Sequence, residues 1–183
     1  QVWMADINPA PDSTGIRRYH VATNGSLATN NLGQMTVAAG GGSDLTDFPY
    51  DVAVDASNRI YTIQFEIREG WPNPRLLRFP AFTNGVALTQ ADWKIGAGDD
   101  QLRGAYGLAV SADGSYVAVA LGGVGSGISR VGGGVRVFNA ANGAEVVTLS
   151  PVAPASWHDH TDVAWDNVGN LYACDFEGAV WRA

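Results

Sequence analysis

The segment Ser156-Trp157-His158-Asp159-His160-Thr161-Asp162 holds two of the three histidines in the chain. Side chains on an extended backbone alternate, so His158 and His160 point to one side. Such an H-x-H pair can ligate a metal ion, with Asp175 or Asp162 adding an oxygen. The same imidazoles titrate near neutral pH and could serve as a general base. Asp6 and Asp175 occupy equivalent places in a repeat described below. Together they could contribute to a carboxylate ring for calcium, a divalent ion that takes several oxygen ligands. A plainer role competes with each of these. The histidines could hydrogen-bond a loop between repeats, and the aspartates could accept backbone N–H groups. The sequence holds no Ser-His-Asp spacing, no zinc motif and no paired glutamates in a recognisable context, so no complete catalytic constellation is visible.

These groups sit on a repeated framework. YDVAVDASNRIYTIQF from Tyr50, YGLAVSADGSYVAVAL from Tyr106 and TDVAWDNVGNLYACDF from Thr161 are three versions of one segment. Asp51, Gly107 and Asp162 recur at intervals of 56 and 55 residues, a period that marks repeated supersecondary units. Each version has two β-rich runs around a turn: DASNR, SADGS or DNVGN. The runs read as hairpins. Asp55, Ser111 and Asp166 open the turns and are expected to cap them. Third runs begin at Arg75, Gly134 and Gly178, and fourth runs at Ala91 and Ala144. Four short antiparallel strands per unit is the pattern of a β-propeller blade.

The opening QVWMADI aligns with a second strand, and Val180-Trp181-Arg182-Ala183 ends inside a third. The expectation is fourteen strands in about three and a half blades: a partial blade 1–45, blades 46–100 and 101–156, and a partial blade 157–183. A closed ring typically needs four to eight blades. The partners expected are therefore the remaining blades of the same protein or other copies of the chain. Val2, Trp3, Val180 and Trp181 should lie at open edges unless other protein covers them.

Composition narrows the function classes. The 183 residues carry a net charge of -7, which argues against binding a phosphate backbone, so no nucleic-acid partner is expected. No apolar run is long enough to span a bilayer. Cys174 is the only cysteine and Lys94 the only lysine. Cys174 is expected to be a small buried hydrophobe. The low lysine content, 23 glycines and polar loops suggest an exported bacterial protein, extracellular or periplasmic.

DVAWDNVGNLYACD, from Asp162 to Asp175, resembles the repeat of the NHL-type and gluconolactonase-like six-bladed propeller families. The other two versions match it with substitutions at the glycines and the last Asp. The resemblance implies six or seven blades in a complete ring. These families include lactonases that bind a divalent metal at the channel mouth, quinoprotein sugar dehydrogenases and binding platforms. In the quinoproteins a histidine precedes a similar hairpin, as His158 or His160 does here.

A propeller ligand site lies at one mouth of the channel, lined by residues before the first strands and after the second. That places Asp6, Gln64, Arg103, Tyr106, His158, His160, Asp162 and Asp175 on one face, with Ala120 at the position of Asp6, Gln64 and Asp175 in the remaining unit. Trp71, in the expected loop Glu66–Pro74, could stack on a sugar or anchor a partner. His158, His160 and Asp175 are the metal candidates. The glycine-rich stretch 122–134 lacks a G-K-[ST] ending and reads as a strand connection, not a phosphate loop. The function expected is an exported binding or scaffold module taking a carbohydrate, another small molecule or a partner at the channel mouth. The alternatives are a metal-dependent lactonase-like hydrolase, a quinone-dependent sugar oxidoreductase, and a self-assembling subunit pairing through open blade edges.

Overall fold

A computed structural model describes residues 2–6, 15–19, 21–26, 33–36, 48–68, 71–81, 90–96, 102, 104–122, 133–149, 160–175 and 178–182. Among them are fourteen strands in four antiparallel sheets. Sheet one contains β1 (Val2–Asp6), β2 (Gly15–Tyr19) and β3 (Gly33–Thr36). Sheet two contains β4 (Phe48–Val54), β5 (Arg59–Arg68), β6 (Trp71–Ala81) and β7 (Trp93–Ile95). Sheet three contains β8 (Ala105–Val110), β9 (Tyr116–Leu121), β10 (Gly134–Asn139) and β11 (Glu145–Leu149). Sheet four contains β12 (His160–Trp165), β13 (Leu171–Asp175) and β14 (Val180–Arg182). In every sheet, strands consecutive in sequence are neighbours.

The near-continuous apolar runs are explained by burial on both faces. Alternation along β5 sends Ile60 toward sheet one, where it meets Ile16, Leu77 and Phe79. It sends Tyr61 and Ile63 toward sheet three, where they join Leu108, Val117, Val119 and Phe138. The same alternation on β9 turns Ala118 and Ala120 toward Val163, Leu171 and Ala173 of sheet four. Three apolar layers thus separate four sheets. Each large side chain fully removed from water contributes about 1.5–3 kcal/mol. Within the stack, first strands lie beside first strands: β4 contacts β8, and β8 contacts β12.

Outer strands add a polar clamp. Arg78 of β6 donates to the carbonyls of Ala140 and Ala141 in sheet three, at 2.7 and 3.1 Å. It also pairs with Asp92 at 2.9 Å, and its guanidinium lies 5.9 Å from the centre of the Trp93 ring. The Trp93 indole N–H donates to the same Ala140 carbonyl at 3.2 Å.

The hairpin turns follow the sequence pattern. Asp55 Oδ1 accepts from Ser57 N and Arg59 N, and Asp166 Oδ1 from Val168 N and Asn170 N. Ser111 Oγ accepts from Tyr116 N. The fourth turn residue has positive φ each time: Asn58 at 61°, Gly114 at 71° and Gly169 at 93°.

Two expectations need correction. Glu66–Pro74 is not a loop, because β5 runs on to Arg68 and β6 starts at Trp71. Pairing continues through Phe65↔Pro74, Ile67↔Pro72 and Arg68↔Trp71. Two prolines two residues apart fall on the same phase of an antiparallel ladder. If that phase faces away from β5, neither missing N–H costs a rung. Trp71 is therefore a strand residue. In the second correction, the 111–116 turn is one residue longer than its counterparts. The structural equivalent of Gln64 and Asp175 is thus Leu121, not Ala120.

A Cβ at Gly169 would meet nothing within 4 Å, so its requirement for glycine is purely conformational. Gly169→Ala should lower unfolding stability by about 1–2 kcal/mol, whereas Asn58→Gly should be neutral or slightly stabilising. Urea denaturation of both variants checks this.

Candidate functional site

Each first strand carries the same irregularity near its start. The β4–β5 register shifts between Pro49 and Asp51, β8–β9 between Ala105 and Gly107, and β12–β13 between His160 and Asp162. The residue passed over is Tyr50, Tyr106 or Thr161. A β-bulge leaves one residue unpaired and re-aims its side chain. Tyr50 is 46% exposed, and its ring meets that of Tyr106 edge-on at 6.1 Å. The Thr161 hydroxyl donates to the Cys174 carbonyl at 3.4 Å and touches Cys174 Sγ at the same distance. Cys174 is half-buried rather than fully buried as expected, because it lies on the outward face of sheet four.

The next residue holds the sheets together. Asp51 Oδ1 accepts its neighbour Val52 N at 2.8 Å. Its Oδ2 crosses to sheet three and accepts Leu108 N at 2.7 Å. The equivalent Gly107 faces sheet four so closely that a Cβ would stand 2.8 Å from Asp162 Cα and 2.8 Å from the Thr161 carbonyl oxygen. Asp162 repeats the first half of the Asp51 arrangement, Oδ1 accepting Val163 N at 2.8 Å, but its residue is exposed. Burial raises the Asp51 carboxyl above its ordinary 3.8; the Leu108 and Val52 N–H groups oppose that shift, and the Asp162 charge adds to it.

A second tier of polar residues is buried behind the bulges: Gln64, Arg75, His160 and Asp175. Gln64 pairs with Pro49 on one side and Arg75 on the other, and His160 is the cross-strand partner of Asp175. Asp175 Oδ1 accepts Ala179 N at 2.9 Å, and Oδ2 accepts the Trp181 indole N–H at 3.0 Å. Both oxygens therefore tie β13 to β14.

Of the expected site residues, Gln64, Tyr106, His160, Asp162 and Asp175 fall on this end of the first and second strands. Asp6 ends β1, paired with Gly15, and Trp71 begins β6. Arg103 and His158 lie outside the described residues, as does most of the glycine-rich stretch. Among the described residues no group of three His, Cys, Asp or Glu side chains could hold a metal ion. Of the three metal candidates, His160 and Asp175 are cross-strand partners, and both Asp175 oxygens accept hydrogen bonds. Sequence reasoning marked Asp51 as a repeat position but did not single out Tyr50 and Asp51 as site residues. Their signal was positional: a Tyr-Asp or Tyr-Gly pair at the head of a repeated apolar run.

The fold and these contacts define an all-β protein of stacked antiparallel sheets. No family model and no curated protein matches the sequence. Solved structures do. An iodide structure of Trichoderma reesei Carbohydrate-Active Enzymes Family AA12 aligns with a TM-score of 0.55 and 13% identity, over 92% of this chain and 58% of that one. A functionally unknown protein from Desulfotomaculum acetoxidans DSM 771 aligns with a TM-score of 0.47 and 11% identity, over 91% of this chain and 45% of that one. The chain thus spans roughly half the length of each. At such identities the likeness to the AA12 structure concerns fold alone. Among the described residues no helix is long and apolar enough to cross a membrane.

Two outcomes follow. Gly107→Ala forces backbone apart and should cost about 1–3 kcal/mol by denaturant unfolding. In a carboxyl NMR titration, Asp51 should titrate above its ordinary value, and Asp162→Asn should bring it down. An acid raised in the folded state favours folding below its unfolded pKa. Its contribution is lost as pH rises from 3.8 through the raised value.

Proposed function

We propose that this chain is a sector of a β-propeller and serves as a binding module, taking a small polar ligand or a partner at the end of the stack where the bulges lie. The observation that carries the reading is the bulge repeated at Tyr50, Tyr106 and Thr161. It puts two tyrosines in ring contact, one of them exposed over nearly half its surface, in front of a buried polar tier. Tyrosine offers apolar area and a polar tip together, which suits recognition of small amphipathic molecules. Nothing in the reading calls for catalysis. The neighbour from a carbohydrate-active enzyme family bears on it only through a shared fold.

The propeller reading is supported by first strands packed side by side and by the outward face of sheet four. There Asp162, Tyr172 and Cys174 stand where Asp51, Tyr61 and Ile63 stand in sheet two. Tyr61 and Ile63 are completely buried by the next sheet, and Asp51 is bonded to it. Further sheets, from the same protein or another copy, would cover this face in the same way.

The test is a ligand screen by saturation-transfer NMR using monosaccharides, sugar acids and sugar lactones. Binding should weaken at least about fivefold in Tyr50→Ala or Tyr106→Ala, the loss of roughly one aromatic contact. Ligands indifferent to both substitutions, or no binder in the screen, would overturn the reading.

A further inference from the structure

The opposite end of the same strands carries a different feature. Between the 111–114 and 166–169 turns lies a cleft of about 350 Å3, lined by Ser111, Asp113, Tyr116, Trp165, Asn167 and Gly169 among others. Its size falls within the ~300–1,000 Å3 of ordinary small-molecule sites. Both walls belong to this chain, one from sheet three and one from sheet four, so the cleft is complete without any further sheet. Tyr106 lies at the start of β8 and Ser111 just past its end. Five residues of extended chain separate them, about 17 Å, so the cleft is distinct from the bulge site.

Its chemistry is specific. The Tyr116 and Trp165 rings lie 6.5 Å apart with their planes 25° from parallel, and Tyr116 is 39% exposed. Asp113 accepts from Ser111 Oγ at 2.6 Å and Ser115 N at 3.0 Å. These bonds hold its carboxyl below the ordinary 3.8, so it is an ionised acceptor at neutral pH. The Tyr116 hydroxyl and the Asn167 amide have no hydrogen-bond partner among the described residues. Tyr116 can donate and accept, Asn167 can do both, and Asp113 only accepts.

We propose that this cleft binds a pyranose unit of a carbohydrate, its C–H face on the Tyr116 ring and its hydroxyls bridging Asp113 and Asn167. A sugar ring matches this lining because it offers one apolar face and an edge of groups that both donate and accept. An alkylammonium ion would use the rings and Asp113 but leave Asn167 and the Tyr116 hydroxyl without a match. The proposal does not rest on a ligand at the bulges.

The experiment is an amide NMR titration of the intact chain with cellotetraose, xylotetraose, mannotetraose, maltotetraose and chitotetraose at millimolar concentration. At least one should shift Ser111–Asp113 and Asn167–Gly169 signals. Tyr116→Ala should weaken that binding at least about fivefold. Asn167→Ala, an exposed turn position that leaves the rings in place, should weaken it too, and Tyr50→Ala should not. Far-UV circular dichroism checks that each variant is folded. The proposal is overturned if no oligosaccharide shifts these signals, if binding survives Tyr116→Ala and Asn167→Ala in folded protein, or if tetramethylammonium shifts them while the sugars do not.

Discussion

A sheet that is apolar on both faces must be covered on both, and this constraint organises the molecule. β5 and β9 send alternate side chains into two different cores, so neither sheet two nor sheet three can be the outside of anything. Stacking is the solution, and its spacing is set by the residues between. Tyr61, Ile63 and Phe138 fill the layer between sheets two and three. Ala118, Ala120 and Ala173 join Val163 and Leu171 in the layer between sheets three and four. At Gly107 the β12 backbone leaves no room for a Cβ.

Polar order is imposed on this apolar stack at two levels, one at each end of the first strands. At the turns, Asp55, Ser111 and Asp166 satisfy local backbone N–H groups and Asp55 also pairs with Arg59, so these three side chains act within their own hairpins. At the bulges, Asp51 reaches across to Leu108. A buried carboxylate accepting two N–H groups carries a desolvation cost that those bonds offset in part. The bulge matters to that geometry as well as to Tyr50, because one extra residue reorients the backbone that follows.

Much of this fold was legible in the chain. Fourteen strands were expected, and fourteen lie among the described residues, because period-two alternation and turn residues such as Asp55, Gly114 and Gly169 are strong local signals. The β5–β6 extension was hidden by Pro72 and Pro74, which read as breakers unless the ladder phase is known. The extra residue in the 111–116 turn displaced one equivalence by a position. The repeated pair at Tyr50-Asp51 and Tyr106-Gly107 marked the place, but neither the bulges nor the Asp51 bond could be read from it. A bulge has no residue signature of its own, and the donor to Asp51 lies 57 residues further on. For the metal candidates the limit was different. His158, one half of the H-x-H pair, lies outside the described residues, and the Asp175 oxygens accept from the amide of Ala179 and the indole of Trp181, contacts that no spacing in the sequence announces.

The strict order of strands within each sheet has a kinetic meaning. Every pairing joins neighbours in sequence, so the entropy of closing loops is small inside a sheet and larger only for stacking one sheet on the next. Doubling a loop adds only about 0.6 kcal/mol to that entropy, so the step from hairpin to stack is shallow. Cooperativity then comes from nearest neighbours, as in other repeat architectures. Amides of β5 and β9, in sheets covered on both sides, belong to the slowest-exchanging unit. Those of β13, in a sheet packed on one side among the described residues, open at lower free energy, giving the molecule a graded rather than a uniform resistance to local unfolding.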